Sequence, residues 1–239
     1  MKTPIAAHPL ALLVGLLASA CSPSTTSDPL PPDPDACSSA GMQQSCLCGS
    51  ALSGTQVCGA NLRYGSCTCP AGKRVFVTST SYSGNLMTQA GTADGLAGGD
   101  KLCQQAAQAA VLGGTWKAWL SAPGMDAKNR IADVGPWYLL NGTTRVFHNA
   151  AGLTTTPLAP INMTEQKVLV PALTLVWTGT DNGGVTAMNG NCIGWTMTGG
   201  SMILYSVVGD ANSTSGWTSS FAVGMPKCTD SRRLYCFEQ

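Results

Sequence analysis

The chain has 239 residues, enough for one full hydrophobic core and a smaller module beside it. Charged residues make up 10% of it and the formal net charge is +1, so there is no electrostatic case for nucleic acid or an acidic polymer as partner. Gly, Ser and Thr are abundant while Lys and Glu are sparse, which suits β-rich exported proteins, and eleven cysteines are too many for a reducing compartment.

At the start, Lys2 precedes Leu10 to Leu17, an apolar run of signal-peptide length that is too short to span a bilayer. Ala18-Ser19-Ala20-Cys21 follows and resembles the lipobox of bacterial lipoproteins. The resemblance implies a signal peptide over 1–20 and a membrane anchor of lipid, palmitate included, on Cys21; ordinary secretion with cleavage near Ala20 is the alternative. Ala18 stands where Leu is commoner. Ser22 after the cysteine, rather than Asp, favours the outer membrane and the cell surface of a Gram-negative bacterium. Setting Cys21 aside leaves ten cysteines. Six lie between Cys37 and Cys69 and four between Cys103 and Cys236, so each region can close its own bridges.

Residues 21–36 carry five prolines among polar residues and no apolar period, which predicts a disordered tether. Residues 37–69 hold Cys37, Cys46, Cys48, Cys58, Cys67 and Cys69 with few large apolar side chains, so disulfides must supply the stability. Gly49, Gly54, Gly59 and Gly65 punctuate short strands. Six cysteines allow fifteen connectivities, and the sequence does not choose among them. A metal site is disfavoured, because Cys46-x-Cys48 and Cys67-x-Cys69 are too closely spaced and no histidine joins them. The stretch resembles the small Cys-rich modules of myxobacterial surface proteins, which implies a stalk or spacer.

A new domain starts at Lys73 and runs to Gln239. Arg74 to Thr80 alternates as a strand. Ser81 to Gly99 is Gly-rich and aperiodic and reads as loop. Asp100 is placed to cap a helix whose buried face is Cys103, Ala106, Ala107, Ala110 and Val111, with Gly113-Gly114 stopping it. Trp116 to Leu120 reads as a strand with Trp116, Ala118 and Leu120 on one side and Lys117 and Trp119 on the other. Further short strands are expected at Trp137 to Leu140, Arg145 to His148, Val168 to Val170, Leu173 to Trp177, Met202 to Val208 and Arg233 to Phe237. The pattern is α+β, with one main helix and mostly antiparallel strands.

Several of these residues carry a resemblance. The strand VFVTSTSYSGNL, Gly98-Gly99-Asp100, Cys103-Gln104-Gln105-Ala106 and the run from Leu112 to Ser121 are similar to the opening of the endostatin domain of collagens. Val176-Trp177-Thr178-Gly179, Asn191-Cys192-Ile193-Gly194-Trp195 and Leu234-Tyr235-Cys236-Phe237-Glu238 are similar to its second half. The chain resembles most closely the bacterial endostatin-like domains of spirochaete surface lipoproteins. This implies a C-type-lectin-like fold with nested bridges, Cys103 to Cys236 and Cys192 to Cys228. It also implies that Trp116, Trp177 and Trp195 are core, and that the ligand is an extracellular protein. From the residues alone the four cysteines allow three pairings.

Chemistry-bearing residues are few. His148 is the one histidine left after a signal peptide carrying His8 is removed, and it reads as a strand-end residue rather than a base. A multi-His metal site cannot be built. Arg232-Arg233 reads as a solvated or ion-paired doublet rather than a polyanion site. Asp181-Asn182-Gly183-Gly184 and Asp210-Ala211-Asn212 offer loop oxygens that calcium could use, although the first is also an ordinary turn sequence. The sugar-binding patterns of calcium-dependent lectins are absent from the sequence. The candidate ligand-binding residues are therefore Trp137, Trp217, Asp181, Asn182, Asp210 and Asn212, with core as the competing reading of the two tryptophans. No catalytic residue, metal or cofactor is implied. The expected function is a surface-anchored, non-catalytic binding or adhesion lipoprotein for a protein or glycan. The alternatives are a calcium-independent glycan-binding module and an enzyme acting on the cell wall or another polysaccharide.

Overall fold

The computed structural model describes residues 33–48, 52–68, 72–197, 204–220, 224 and 226–239, with the backbone alone at 47, 48, 52 and 53. The signal segment, Cys21, most of the tether, Gly49, Cys69 and the side chain of Cys48 lie outside the described residues.

In the Cys-rich segment, β1 (Gln43–Cys48) and β2 (Leu52–Val57) form an antiparallel hairpin with Cys46 opposite Gly54. Cys37–Cys58 and Cys46–Cys67 bridge it. Asp33 to Ala36, assigned above to the tether, belong to this structure. Ala36 bridges Arg63, the Tyr64 N–H donates to the Asp35 carbonyl at 2.8 Å, and Arg63 pairs with Asp33 at 2.8 Å. Backbone pairing orders these residues, and a polar, Pro-rich sequence carries no periodic sign of it.

β3 (Lys73–Val77) buries Val75, Phe76 and Val77 in succession, because its two faces are both covered. The stretch after it is not all loop. Asn85 caps α1 (Leu86–Ala90), and Asp94 caps α2 (Gly95–Ala109) by accepting the Ala97 N–H at 2.8 Å. The cap expected at Asp100 thus lies too late, inside the helix that Asp94 caps. Gly95 and Gly98, which suggested loop, lie inside the helix because it runs against backbone. A Cβ at Gly95 would sit 2.1 Å from the Gly194 carbonyl oxygen, and one at Gly98 2.6 Å from that of Leu86.

The buried face of α2 is Leu102, Cys103 and Ala107, with Ala106 half-buried. Val111 is not part of it. It lies past the end of the helix, 90% exposed, with φ +56°. The Val111 N–H donates to the Gln108 carbonyl and the Leu112 N–H to that of Ala107, a Schellman closure with valine where glycine is usual. Gly113 and Gly114 follow this closure and do not make it.

β4 (Trp116–Ala118) continues as irregular extended chain, and Trp119, on the side of Lys117, is buried as fully as Leu120 beside it. The carboxylate of Asp100 accepts the Ala118 N–H at 2.8 Å and Arg130 Nη2 at 2.7 Å. Arg130 Nη1 donates to the carbonyls of Ala118 and Leu120. This largely buried ion pair ties α2 to β4.

The remaining strands are β5 (Trp137–Tyr138), β6 (Arg145–Phe147), β7 (Leu175–Trp177), β8 (Val208–Asp210) and β9 (Arg233–Glu238). Val168 to Val170 is not a strand. A single bridge, Met163 to Leu169, closes a turn there and leaves Val168 and Leu169 exposed. The strand expected over Met202 to Val208 begins only at Val208, and residues 202 and 203 lie outside the described ones. The sheet order is β6-β5-β3-β9-β7-β8, with β4 also on β9. Pairing is antiparallel except for β3–β5 and β7–β9. One edge of β9 takes β3; the other takes β7 along Arg233 and Leu234 and then β4 along Cys236 to Glu238.

The class is therefore α+β with disulfide-rich parts. Cys103–Cys236 joins α2 to β9 across 133 residues, and Cys192–Cys228 lies nested within it across 36. Closing the longer loop is worth up to about 5 kcal/mol on a chain-entropy account. All six tryptophans are buried.

Replacing Val111 by glycine relieves a left-handed β-branched residue and removes no packed side chain. The expected outcome is a gain of about 1 kcal/mol, read as a higher denaturation midpoint at unchanged slope.

Candidate functional site

Three loop segments meet beyond β7 and β8. The first is the turn from Asp181 to Thr186. Its ends are bridged at Thr180 and Thr186, and the Asp181 N–H donates to the Val185 carbonyl at 2.8 Å. Gly183 and Gly184 supply the positive φ angles that such a tight reversal requires. Asp126 pins the turn from below, accepting the Thr186 N–H at 2.8 Å and its hydroxyl at 2.9 Å. These two donors hold the Asp126 carboxyl below its ordinary range, the backbone one foremost. Asn182 stands exposed at the tip.

The second segment is 210–220, which folds on itself. The Asp210 N–H donates to the Gly216 carbonyl, the Ser213 N–H to the Asp210 carbonyl, and the Gly216 N–H to Ser213 Oγ. The third is the 3₁₀ turn Ala150–Thr154 with Thr155 and Thr156 after it. Trp217 joins the last two. Its ring packs against Trp119 at 4.9 Å and Phe147 at 5.2 Å, and its Nε1–H donates to the Thr155 carbonyl at 3.2 Å.

Between these segments lie two adjoining cavities of about 220 and 330 Å³, and Asn182 and Ser215 line both. Thr154 to Thr156 and Thr214 line the first, floored by Trp217. Asp210, Ser213, Ser219 and Ser220 line the second. The Asn182 amide and the hydroxyls of Thr156, Thr214, Ser219 and Ser220 have no hydrogen-bond partner among the described residues. The cleft thus offers an amide and several hydroxyls, each able to donate and accept, around one carboxylate. Asp210 has no ion-pair partner among the described residues. Beneath it, burial first and the Asp210 charge second push ionisation of the Tyr235 phenol well above its usual value.

Of the residues nominated from sequence, Asn182, Asp210 and Trp217 meet here. Trp217 does so as a floor that is 2% exposed and not as an open stacking face. Trp137 is fully buried, edge-on to Phe237, with its Nε1–H on the Glu238 carbonyl. It presents no surface to a ligand. Asn212 turns away, its amide donating to the Pro171 carbonyl at 2.6 Å, and Asp181 closes its turn without lining either cavity. Of the two loops' carboxylates, that of Asp210 lines the cleft and that of Asp181 does not. No group of three His, Cys, Asp or Glu side chains among the described residues could hold a metal ion. His148 sits at the end of β6, its Nδ1 3.3 Å from Arg145 Nη1, and lines neither cavity. The hydroxyl run from Ser213 to Ser220 was the signal missed in the sequence.

A separate, more apolar cleft of about 390 Å³ lies where Cys192, Ile193, Gly194 and Trp195 run consecutively at positive φ, with Ile193 and Tyr205 on its walls.

No known protein family and no curated protein matches the chain.

Asp126 supplies a pH test of the turn that carries Asn182. A carboxyl with a depressed folded value contributes stability that is present above its unfolded value, about 3.9, and is lost as pH falls through the folded one. Thr186→Val removes the hydroxyl donor. The expected outcome is a smaller fall in melting temperature between about pH 5 and pH 2 than in the wild-type chain.

Proposed function

We propose that the chain is a surface-anchored, non-catalytic binding lipoprotein whose hydroxyl-lined cleft takes a glycan without calcium. The observation that supports this is the convergence of Asn182, Asp210 and the Ser and Thr side chains on two adjoining cavities of sugar-ring size. Sugar hydroxyls are paired donors and acceptors and are matched best by groups that do both, which Asn, Ser and Thr side chains are. The two cavities sharing Asn182 and Ser215 fit two neighbouring rings of one chain. Two long-range bridges and a loop-built site are consistent with the lectin-like, endostatin-like fold proposed from the sequence motifs. The disulfides are compatible with an extracellular setting, and the anchor at Cys21 rests on the lipobox resemblance.

The test is a glycan screen on the full chain, followed by affinity measurements on Asn182→Ala and Ser215→Ala. Each substitution is expected to weaken binding about tenfold, the worth of one to two hydrogen bonds, with unchanged melting temperature. A chelator is expected to leave the affinity unchanged. Binding that disappears on chelation, or that survives both substitutions, overturns the assignment.

A further inference from the structure

On the β9 side of the fold, Arg232 and Arg233 open together on a cavity of about 320 Å³. Ser81, Thr174 and Ser231 add hydroxyls to its wall, and Leu173 and Leu175 make an apolar side. Arg232 is fixed before any ligand arrives. Its backbone is bonded in both directions to Tyr82, and its guanidinium lies 6.0 Å from the centre of the Trp177 ring. Nη2 pairs with Asp230 at 3.1 Å and Nη1 donates to the Ser231 carbonyl. Nε is buried and meets no acceptor among the described residues. Arg233 has one bond, from Nη1 to the Thr78 carbonyl, and no ion-pair partner among the described residues.

Of the two guanidinium groups that line this cavity, that of Arg232 meets a carboxylate, Asp230, and that of Arg233 meets none among the described residues. Most of their N–H donors meet no acceptor among the described residues, and one of them, Arg232 Nε, is cut off from solvent. A buried donor without a partner is costly, and in folded proteins it points to a missing water or ion. The donors open to the cavity belong to two cationic groups, which favours an anion over water there. We infer that this cavity is a binding site for an oxyanion, a carboxylate or a phosphate group. The guanidinium forks hold the anion and Leu173 and Leu175 accept an apolar segment attached to it. The site is separate from the cleft at Asn182 and does not depend on the glycan reading.

Arginine Nε–H signals in NMR spectra of the isotope-labelled full chain report on this pair directly. The probes are inorganic phosphate, acetate and hexanoate, titrated at constant ionic strength with chloride as the control. The expected result is a saturable shift of the Arg232 and Arg233 signals, with a Kd on the order of 1 mM for the best probe and hexanoate tighter than acetate. Response to phosphate alone identifies a phosphate ligand, and response to the carboxylates alone identifies an organic acid. Arg233→Gln is expected to abolish saturation. Arg232→Lys, which keeps the charge and the stem but loses the fork, is expected to weaken binding about tenfold and remains informative if the first variant does not fold. Shifts that never saturate, that chloride reproduces, or that Arg232→Lys leaves unchanged overturn the site and leave water as the partner of the orphan donor.

Discussion

The indole N–H groups hold this fold together. Six tryptophans are buried and each N–H group meets an acceptor, which for all but Trp116 lies in a different segment. Trp177 holds the Tyr82 carbonyl, Trp195 that of Ser121, Trp137 that of Glu238 and Trp217 that of Thr155. Trp119 holds the Thr218 hydroxyl, which is otherwise ninety-nine residues away along the chain. A large ring with a single donor can be buried only where that donor is met, so each one fixes the position of a loop as well as filling space. A domain with short strands and long connections needs such fixings, because regular pairing leaves much of its backbone unmatched.

Small hydroxyl side chains do the same for the remaining carbonyls. Thr78, Thr178, Thr180 and Ser206 are buried, and each donates to a main-chain oxygen nearby. The Ser and Thr content therefore has two uses. Inside, hydroxyls satisfy irregular backbone; at the cleft between 154–156 and 213–220, the same chemistry is turned outward. The Asp100–Arg130 pair and the Asp126–Thr186 bonds then fix the elements beneath it, so Asn182 sits on a braced turn.

Much of the sheet was legible in the sequence. β3, β4, β7 and β9 lie close to where alternation and β-branched residues put them. The even cysteine groups pointed to bridges within each region, and the family resemblance to the nested pairing. The helix start was not legible, since glycines that permit backbone contact look like glycines of a loop until the partner backbone is known. Val168 and Leu169 misled in the opposite way, as a strand-like run that stays exposed. Trp137 and Trp217 could not be placed either, because a buried and an exposed indole are identical in sequence and differ only in whether their N–H finds an acceptor. Of the site, Asn182 and Asp210 were visible as polar turn residues. The Ser and Thr contribution was not, since three loops far apart in the chain supply it.

β9 lies between β3 on one edge and β7 and β4 on the other, yet it follows all of them in the chain. While the polypeptide is being synthesised, β3 and β4 have no mutual partner strand to close on, and Cys103 has no partner thiol until Cys236 emerges. The sheet is therefore completed last at β9, although β3 can pair earlier with β5, and β7 with β8. The contacts that β9 makes with β3 and β4 have a high separation along the chain, which slows folding.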